Sequence, residues 1–412
     1  MNEFKEKLDW TFRNENTREY THIYHDYPAR MIPQIPRQLL TILDAKEGQF
    51  LFDPYCGSGT TLVEGMMKGL NVIGTDINPL AKLISEAKTD YKINPNNLRR
   101  EIDRFIEFTS SPKLEPIEKK NLDFWFKPDV IRKIGLIITY ISRIKDKRIR
   151  RFFKVVASET IRESSNTRKN EFKLYRYPQE KLEKYNPDPF EIMKAKLYRN
   201  FNGYIEFYKT MSKLEIQPIA KIYSFNSVKQ IPSNKIKSNS IDIVITSPPY
   251  GDSRTTVAYG QYSRLSLEWL GLLNKDVDKE SMGGSSLKSP HFFGFEPLDN
   301  QIKKILSTNF KRGLEVASFY LDLEKSIKNV SGVIKSGGYA CYVVANRKVL
   351  GLTLPTDKVI EYFFEKNGFS HVNTFLRTIP NKRMPSRNSP TNIAGKTGET
   401  MDKEYIIVMI KK

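Results

Sequence analysis

The stretch TSPPYGDS (246–253) brings together groups that could take part in chemistry, directly after a strand-like apolar run. It contains Ser247, Pro248, Pro249 and Tyr250. Proline has no backbone N–H and a fixed φ, so the proline pair is a stiff segment whose carbonyl oxygens only accept hydrogen bonds. With a serine hydroxyl and a tyrosine ring beside it, the segment could hold an amino group. A tight exit from a buried strand is the alternative, but a turn does not need this combination of residues.

A glycine turn lies far upstream, in FDPYCGSGTT (52–61), between a strand-like and a helix-like run. Gly57 and Gly59 let the backbone come close to a ligand, and the start of a helix offers free N–H groups. The third glycine of a dinucleotide motif is missing, and Thr60 and Thr61 take up the helix start. The turn therefore suits a ligand with a carboxylate and an amine better than a pyrophosphate.

An acidic residue, Asp76, ends the second strand-like run, 23 positions after Asp53. This is near the spacing at which a carboxylate meets ribose hydroxyls. The alternative is that Asp76 only caps the helix that starts near Pro79. The glycine turn at the right distance upstream favours the ribose role.

The elements that position these groups follow the pattern of a parallel sheet. Strand, glycine turn, helix, strand and helix succeed one another up to about residue 90, and the pattern resumes after about residue 215. Residues 274–300 have the Gly, Ser and Pro content of a long loop. The last two strand-like runs are joined only by a loop, which allows an antiparallel pair. The seven predicted strands are QFLFDPY, NVIGTDIN, AKIYSFNS, IDIVITSPPY, GGYACYVVANRK, VNTFLRTIPN and EYIIVMIKK.

DPYCGSGTT followed by GTDIN, with TSPPY later, resembles the S-adenosylmethionine-dependent amino-methyltransferases of DNA. The S-P-P-Y form is similar to the subset that methylates cytosine N4, whereas the adenine N6 subset usually starts with Asp or Asn. The resemblance implies an α/β, Rossmann-like class I methyltransferase fold with a seven-stranded, mostly parallel sheet and an antiparallel last strand. It implies a catalytic domain of residues 1–90 and 215–412. Between its two parts, residues 91–214 are basic and are predicted to be a mostly helical insertion that forms the DNA-recognition region.

The resemblance also assigns residues to the cofactor S-adenosylmethionine. Asp53, Gly57 and Gly59 would surround its methionine part, and Asp76 would bind its ribose. YHDYPARMIPQIP (24–36) resembles the N-terminal cofactor motif of the family. Asn226 stands where the family often has an acid near the adenine. The residues expected at the cofactor are Asp53, Tyr55, Gly57, Gly59, Thr60, Asp76, Ile77, Asn226 and Pro33.

The implied reaction gives the S-P-P-Y residues their expected roles. An exocyclic amine of cytosine is a poor nucleophile because its lone pair is delocalised into the ring. The Pro248 carbonyl, held rigid by Pro249, and the Ser247 hydroxyl can accept both amino hydrogens and stabilise the positive charge that develops on nitrogen. Tyr250 offers a ring on which a flipped-out base can stack. The lack of a Pro-Cys nucleophile argues against methylation at cytosine C5.

The charge of the chain favours a nucleic-acid partner. Lys and Arg number 67 against 47 acidic residues, a net charge of +20, although an A·T-rich genome also produces lysine-rich proteins. Residues 143–176 hold 12 basic residues, and we expect DNA contact from residues 164–178. For the helical part of this basic stretch, up to Lys154, a solvated helix face is an equally open alternative. Arg254, Lys382 and Arg383 are expected in loops near the DNA; for Arg254 a solvated loop position is equally open. Aromatic side chains interleaved with basic ones suit stacking on nucleic acid, and here they are Phe152, Phe153, Phe172, Tyr175 and Tyr177.

Composition bounds the remaining possibilities. Cys56 and Cys341 are the two cysteines, so neither a disulfide framework nor a zinc site is expected. No apolar run approaches 18 residues, so we expect an intracellular protein without membrane contact. The resemblance to methyltransferases of restriction–modification systems implies the cytoplasm of a prokaryote. The expected function is site-specific methylation of double-stranded DNA in a restriction–modification system, with any cognate restriction endonuclease acting separately. Adenine N6 methylation, RNA guanine N2 methylation and a non-catalytic DNA-binding protein on a decayed methyltransferase fold are the alternatives.

Overall fold

The structure is a computed structural model. It describes residues 9–169, 171–252, 256–272, 274, 276–379 and 403–412, and the backbone of 387–388 and 398–399. The predictions for Arg254, Lys382 and Arg383 lie outside the described residues.

A seven-stranded sheet with the order β3-β2-β1-β4-β5-β11-β8 forms the centre of the molecule. Neighbouring strands pair in parallel, except that β11 runs antiparallel to both β5 and β8. The predicted sheet, with its antiparallel last strand, is therefore confirmed. Two two-stranded sheets, the β6–β7 hairpin and the pair β9 and β10, lie outside it. The strands are β1 (Phe50–Asp53), β2 (Asn71–Thr75), β3 (Ala220–Tyr223), β4 (Ile241–Thr246), β5 (Ile334–Val344), β6 (Lys348–Val349), β7 (Leu352–Thr353), β8 (Phe369–Thr378), β9 (Arg387–Asn388), β10 (Gly398–Glu399) and β11 (Lys403–Lys411).

Helices cover both faces of this sheet. Within β1, Leu51 and Phe52 point into different hydrophobic clusters, as the two-residue period of a strand requires when both faces are buried. The described part of the chain has a 3₁₀ helix (Tyr20–Tyr24) and the α-helices α1 (Gln34–Ile42), α2 (Thr60–Met67), α3 (Pro79–Lys88), α4 (Pro95–Ser110), α5 (Pro128–Arg143), α6 (Lys147–Ser164), α7 (Gln179–Lys184), α8 (Pro189–Met211), α9 (Tyr259–Trp269), α10 (Val277–Glu280), α11 (Glu296–Thr308), α12 (Phe310–Val333) and α13 (Thr356–Glu365).

Residues 91–214 are mainly helical, as predicted, and their helices pack onto the sheet-bearing part of the chain. One hydrophobic cluster joins Ile84 of α3 to Phe105 of α4 and to Phe152 and Phe153 of α6. Both phenylalanines of α6 are fully buried, so the expectation that they stack on nucleic acid is wrong. The amphipathic pattern of α6 explains the error, because its apolar stripe faces this core.

The segment predicted to be a long loop, 274–300, contains more helix than expected. Helix α10 occupies Val277–Glu280, and α11 already begins at Glu296. Pro297 is compatible with this start because proline is tolerated in the first turn of a helix. Between these two helices, residues 281–295 form neither helix nor strand.

Candidate active site

A cleft opens where four neighbouring parallel strands end. Asp53 is the last residue of β1, Asp76 directly follows β2, Phe225 follows β3 and Ser247 directly follows β4; all four line the cleft. Parallel strands end at the same edge of a sheet, which is where ligands bind in open α/β folds. Residues far apart in sequence therefore meet in one site.

The glycine turn forms one wall of the cleft. Gly57 and Gly59 have φ values of +47° and +76°, which favour glycine. A Cβ on Gly59 would lie 2.9 Å from the Ser85 hydroxyl, so the turn packs directly on α3. The hydroxyls of Ser58 and Thr60 are buried and have no hydrogen-bond partner among the described residues. Their unmet hydrogen-bonding capacity, at the start of α2, is suited to a polar ligand group.

Asp76 is held in place by two backbone donors, one from the glycine turn and one from the residue before α3. Its carboxylate accepts hydrogen bonds from the amides of Gly57 (3.0 Å) and Asn78 (2.8 Å). The cap of α3 is Asn78, whose side chain accepts from the Leu80 amide, so Asp76 does not have the capping role considered as its alternative. Burial raises the pKa of Asp76 to about 6, and the nearby charge of Asp53 acts in the same direction.

Asp53 connects the ends of β1 and β4. Its Oδ1 accepts hydrogen bonds from the Thr246 hydroxyl (2.6 Å) and the Tyr55 amide (3.1 Å). The side chain is 3% exposed, and this burial raises the pKa of Asp53 to about 6. The site thus keeps two carboxyl groups in an environment that disfavours their ionisation.

Two stacked tyrosines form another wall. The rings of Tyr27 and Tyr259 are 5.8 Å apart and nearly parallel, and both line the cleft. The amide of Asn78 donates to the Tyr27 hydroxyl at 3.1 Å. Ala29, next in the wall, has a φ of +50°, which is uncommon for a residue other than glycine. The segment 24–36, which contains Tyr27, was predicted to contact the cofactor, but neither Tyr27 nor Tyr259 was itself among the predicted site residues.

The S-P-P-Y segment borders the same cleft. Ser247 and Pro249 line it, and the Ser247 hydroxyl donates to the Tyr250 hydroxyl at 3.4 Å. Tyr250 in turn donates to Glu404 at 2.9 Å, and burial raises the pKa of Tyr250 well above its usual value. Arg377 donates to the other carboxylate oxygen of Glu404. This connection from Ser247 to β11 and β8 had no signal in the sequence.

A buried ion cluster anchors the loop after Tyr250. Asp252 is 1% exposed and accepts hydrogen bonds from Arg312 (3.1 Å) and Arg347 (3.0 Å). Gly251 is required beside it, because a Cβ there would overlap the Arg347 guanidinium. The cluster ties the S-P-P-Y segment to α12 and to the chain after β5.

Nine of the thirteen predicted site residues line the cleft. Pro33 is buried directly before α1 and outside the lining, two positions after Met31. Gly59, Pro248 and Tyr250 adjoin lining residues without lining the cleft themselves. The residues that do line it are Asp53, Tyr55, Gly57, Thr60, Asp76, Ile77, Asn226, Ser247 and Pro249.

Asn226, at the predicted adenine side, is already engaged within the protein. Its side-chain oxygen accepts from the Val228 amide (2.9 Å), and its nitrogen donates to the Glu280 carbonyl (3.0 Å). These bonds fix the strand-to-loop connection after β3. An amide held in this way adds a defined edge to the cleft but no negative charge.

The cleft fits S-adenosylmethionine by its polar groups and by the character of its walls. Two carboxylates, two unpartnered hydroxyls and a helix start lie beside aromatic and aliphatic walls, which matches a ligand with an amino acid end, hydroxyls and a flat base. Among the residues that the structure describes, no group of His, Cys, Asp and Glu could hold a metal ion.

The fold and the cleft together define the class of protein. One antiparallel strand, β11, lies between β5 and β8, and the cleft lies at the ends of β1, β2 and β4. This combination is that of a Rossmann-like class I methyltransferase. Residues 18–105 match the family described as "RMKL-like, methyltransferase domain". Within the ranges that the structure describes, no helix combines the length and the apolar character needed to cross a membrane.

Comparison with curated proteins gives the family. The chain is 41% identical over 422 residues to the type II methyltransferase M.MvaI of Kocuria varians, covering 97% of this chain and 92% of that protein. It is 22% identical over 284 residues to the type II methyltransferase M.BsoBI of Geobacillus stearothermophilus, covering 64% and 55%. The chain belongs to the type II methyltransferases. It is therefore a DNA methyltransferase, and its methyl donor is S-adenosylmethionine.

The likeness to the solved structure of another methyltransferase is distant. The rRNA methyltransferase AviRa of Streptomyces viridochromogenes is 10% identical, with a TM-score of 0.34 over 98% of this chain and 93% of that one. A score this low adds nothing to the assignment. The family therefore rests on the M.MvaI match and the architecture of the site.

Proposed function

We propose that this enzyme methylates the exocyclic N4 amine of a cytosine that is flipped out of a specific site in double-stranded DNA. The observation that supports it is that Ser247 and Pro249 line the same cleft as Gly57 and Asp76. Bound S-adenosylmethionine supplies the electrophilic methyl group. A base paired inside a duplex cannot enter such a cleft, so the target base must leave the stack.

We assign the cofactor-holding roles as follows. The Asp76 carboxylate accepts hydrogen bonds from the ribose hydroxyls, since its backbone contacts fix both of its oxygens at the cleft wall. Asp53 and the hydroxyls of Ser58 and Thr60 hold the methionine end. Ile77, the Asn226 segment and Tyr55 belong to the remaining walls.

The chemical role falls to oxygen acceptors that the protein holds rigid. Ser247 uses its hydroxyl hydrogen toward Tyr250, which leaves the lone pairs of its oxygen available to accept from the amine. The Pro248 carbonyl accepts the second amino hydrogen. Both oxygens then stabilise the positive charge that develops on nitrogen as its bond to the methyl carbon forms and the bond from that carbon to the sulfonium sulfur breaks. The methylated amine then releases one proton to water.

Analysis of the methylated nucleoside tests this proposal. The chain is expressed in cells that lack their own DNA methylation, and the DNA is digested and examined by mass spectrometry. N4-methylcytosine is the expected product, with an Asp76→Asn chain as the inactive control. If N6-methyladenine is found instead, the target base is adenine; this outcome is compatible with the site because the hydrogen-bond acceptors of the S-P-P-Y segment do not select the base by themselves. Methylated guanine in RNA with unmodified DNA would refute the substrate class.

We further propose that residues 91–214 form the DNA-recognition region, with residues 164–178, the last residue of α6 and the loop after it, as its DNA contact. Arg168 and Tyr175 are both exposed, and the guanidinium lies 5.9 Å from the ring centre. The loop rests on α9, because the Leu174 amide donates to Gln261 (3.4 Å). Since α9 begins with the cleft residue Tyr259, the loop is connected directly to the wall of the active site.

The basic face of α6 contributes less to this surface than its charge suggests. Arg151 forms ion pairs with Glu86 and Asp90, and Arg148 also pairs with Asp90. For this half of the basic stretch the solvated, internally paired helix face is the better interpretation. Loss of Arg168 and Lys169 together should weaken DNA binding and flatten its salt dependence by about 0.9 in log–log slope per lost phosphate contact. Lys237→Ala, an exposed lysine before β4 at the opposite edge of the sheet, is the matched control.

A further inference from the structure

The β6–β7 hairpin presents an apolar side chain from an unusual backbone position. Val349 pairs with Leu352, so Leu350 and Gly351 form a two-residue turn with φ values of +49° and +81°. Turns of this type favour Asn-Gly, because both central residues have positive φ, and a bulky residue there is an outlier. Leu350 is nevertheless 47% exposed, although Val349 beside it is buried. Neither packing nor turn chemistry explains a leucine at this tip.

The hairpin emerges next to the S-P-P-Y segment. Its ends are closed by the Leu354 amide, which donates to the Arg347 carbonyl at 2.9 Å. The Arg347 side chain reaches Asp252 at 3.0 Å and lies against Gly251, the residue after Tyr250. Leu350 is three residues beyond Arg347, a distance of at most about 11 Å along the chain. The turn therefore lies at the same edge of the sheet as the cleft.

The base of the hairpin is rigid. Asp252 also accepts from Arg312 of α12 (3.1 Å), so three elements meet at one buried carboxylate. Asn346, just before the hairpin, exchanges two hydrogen bonds with Asp357 of α13, at 2.8 and 3.1 Å. Because the base of the hairpin is rigid, a side chain at its tip can contact a neighbouring molecule without displacement of the hairpin. A backbone outlier that the surroundings hold in place is typical of functional positions.

We propose that Leu350 is a wedge that enters the base stack of duplex DNA beside the target base and keeps that base extruded. The inference rests on the proposed base flipping. Extrusion leaves a gap in the stack and loses stacking and pairing energy, and an apolar side chain that fills the gap offsets part of this loss. Leu350 acts as a positioning residue: it contacts neither the cofactor nor the reacting nitrogen.

The variant Leu350→Gly separates this role from a structural one. Glycine adopts positive φ without strain, so the thermal midpoint should equal or exceed that of the parent chain. Affinity for S-adenosylmethionine should not change. On a fully paired site, kcat/KM should fall at least about tenfold, since the flipped state loses the side chain that fills the stack. On a duplex whose target base is mismatched, and therefore already loosely held, the two enzymes should agree within about twofold. Leu350→Met should retain most of the paired-site activity.

Ile216→Ala is the matched control. Ile216 is also 47% exposed, but it precedes β3 at the opposite edge of the sheet, so its loss should leave both substrates unaffected. An equal loss on paired and mismatched duplexes, no loss on either, or a clear drop in thermal midpoint would overturn the wedge. The target base is first identified with the parent enzyme. If that base proves to be adenine, the cytosine proposal fails, whereas the comparison of paired with mismatched duplex still decides about Leu350.

Discussion

Replacement of Asp53 by asparagine should make the empty enzyme more stable while weakening its hold on the cofactor. Burial raises the pKa of Asp53 from 3.8 to about 6, and a difference of this size corresponds to about 3 kcal/mol. Because the native carboxyl has the higher pKa, the native state binds the proton more tightly than the unfolded chain does. Ionisation of Asp53 therefore opposes folding at neutral pH.

The pH dependence gives the prediction its sign and its range. The unfavourable contribution of the Asp53 charge is nearly absent near pH 4, grows as the pH rises to about 6, and is complete above that value. Asparagine can keep both hydrogen bonds that end on Oδ1, from Thr246 and Tyr55, and it carries no charge. Urea unfolding without cofactor should therefore show Asp53→Asn to be more stable by about 3 kcal/mol at pH 8 and by less than about 1 kcal/mol at pH 4.

Cofactor binding should respond in the opposite direction. Asp53 lines the cleft, and a hydrogen bond to a charged acceptor is worth about 1.5 to 3 kcal/mol. Calorimetry at pH 8 should therefore show that the Asp53→Asn variant binds S-adenosylmethionine at least about tenfold more weakly than the parent enzyme. A variant that is less stable than the parent at pH 8, or equally stabilised at pH 4 and pH 8, would refute the buried-charge reasoning. Unchanged cofactor affinity would refute the assignment of Asp53 to the site.

Two further substitutions probe the packing behind the cleft. Glu404→Gln removes the charge that pairs with Arg377 and alters the acceptor of the Tyr250 hydroxyl, so kcat should fall while KM for the cofactor stays within about twofold. The free energy of unfolding should fall by about 3 kcal/mol, because the buried Arg377 charge is left unpaired. A second change, Arg377→Met, should largely restore the stability, because it removes that charge. Gly59→Ala should lower the free energy of unfolding by about 1 to 3 kcal/mol and weaken cofactor binding, because a Cβ would meet a serine of α3 at 2.9 Å. Gly48 has a similar φ but faces open space, so Gly48→Ala should show only the smaller cost of backbone strain. Equal losses for the two glycine variants would count against close packing of the turn.

The parts of the fold that follow from short-range patterns could be predicted from the sequence. β1, the glycine turn, α2, β2 and α3 succeed one another with few connecting residues, and each has a local signal, such as Gly69 after α2 and Pro79 at the start of α3. Because parallel strands end at one edge, the strand predictions also brought Asp53, Asp76 and Ser247 to one place without any knowledge of contacts.

Side-chain partners across the sheet could not be predicted in the same way. The ion cluster of Asp252 draws its arginines from positions 312 and 347, and no spacing links these three residues. For the phenylalanines of α6, the sequence pattern led to a prediction that was wrong. Phe152 and Phe153 lie among basic residues in the sequence, and only the packing of α6 on α3 and α4 shows that they belong to the core.

The antiparallel last strand has a consequence for the site that goes beyond completing the sheet. β11 begins at the edge where β5 ends, since Tyr405 pairs with Val344. A parallel strand in the same place would present its first residues at the opposite edge, far from the cleft. The reversed direction brings Glu404, near the start of β11, within 2.9 Å of the Tyr250 hydroxyl. The topology thus allows a carboxylate from the end of the chain to support the S-P-P-Y segment.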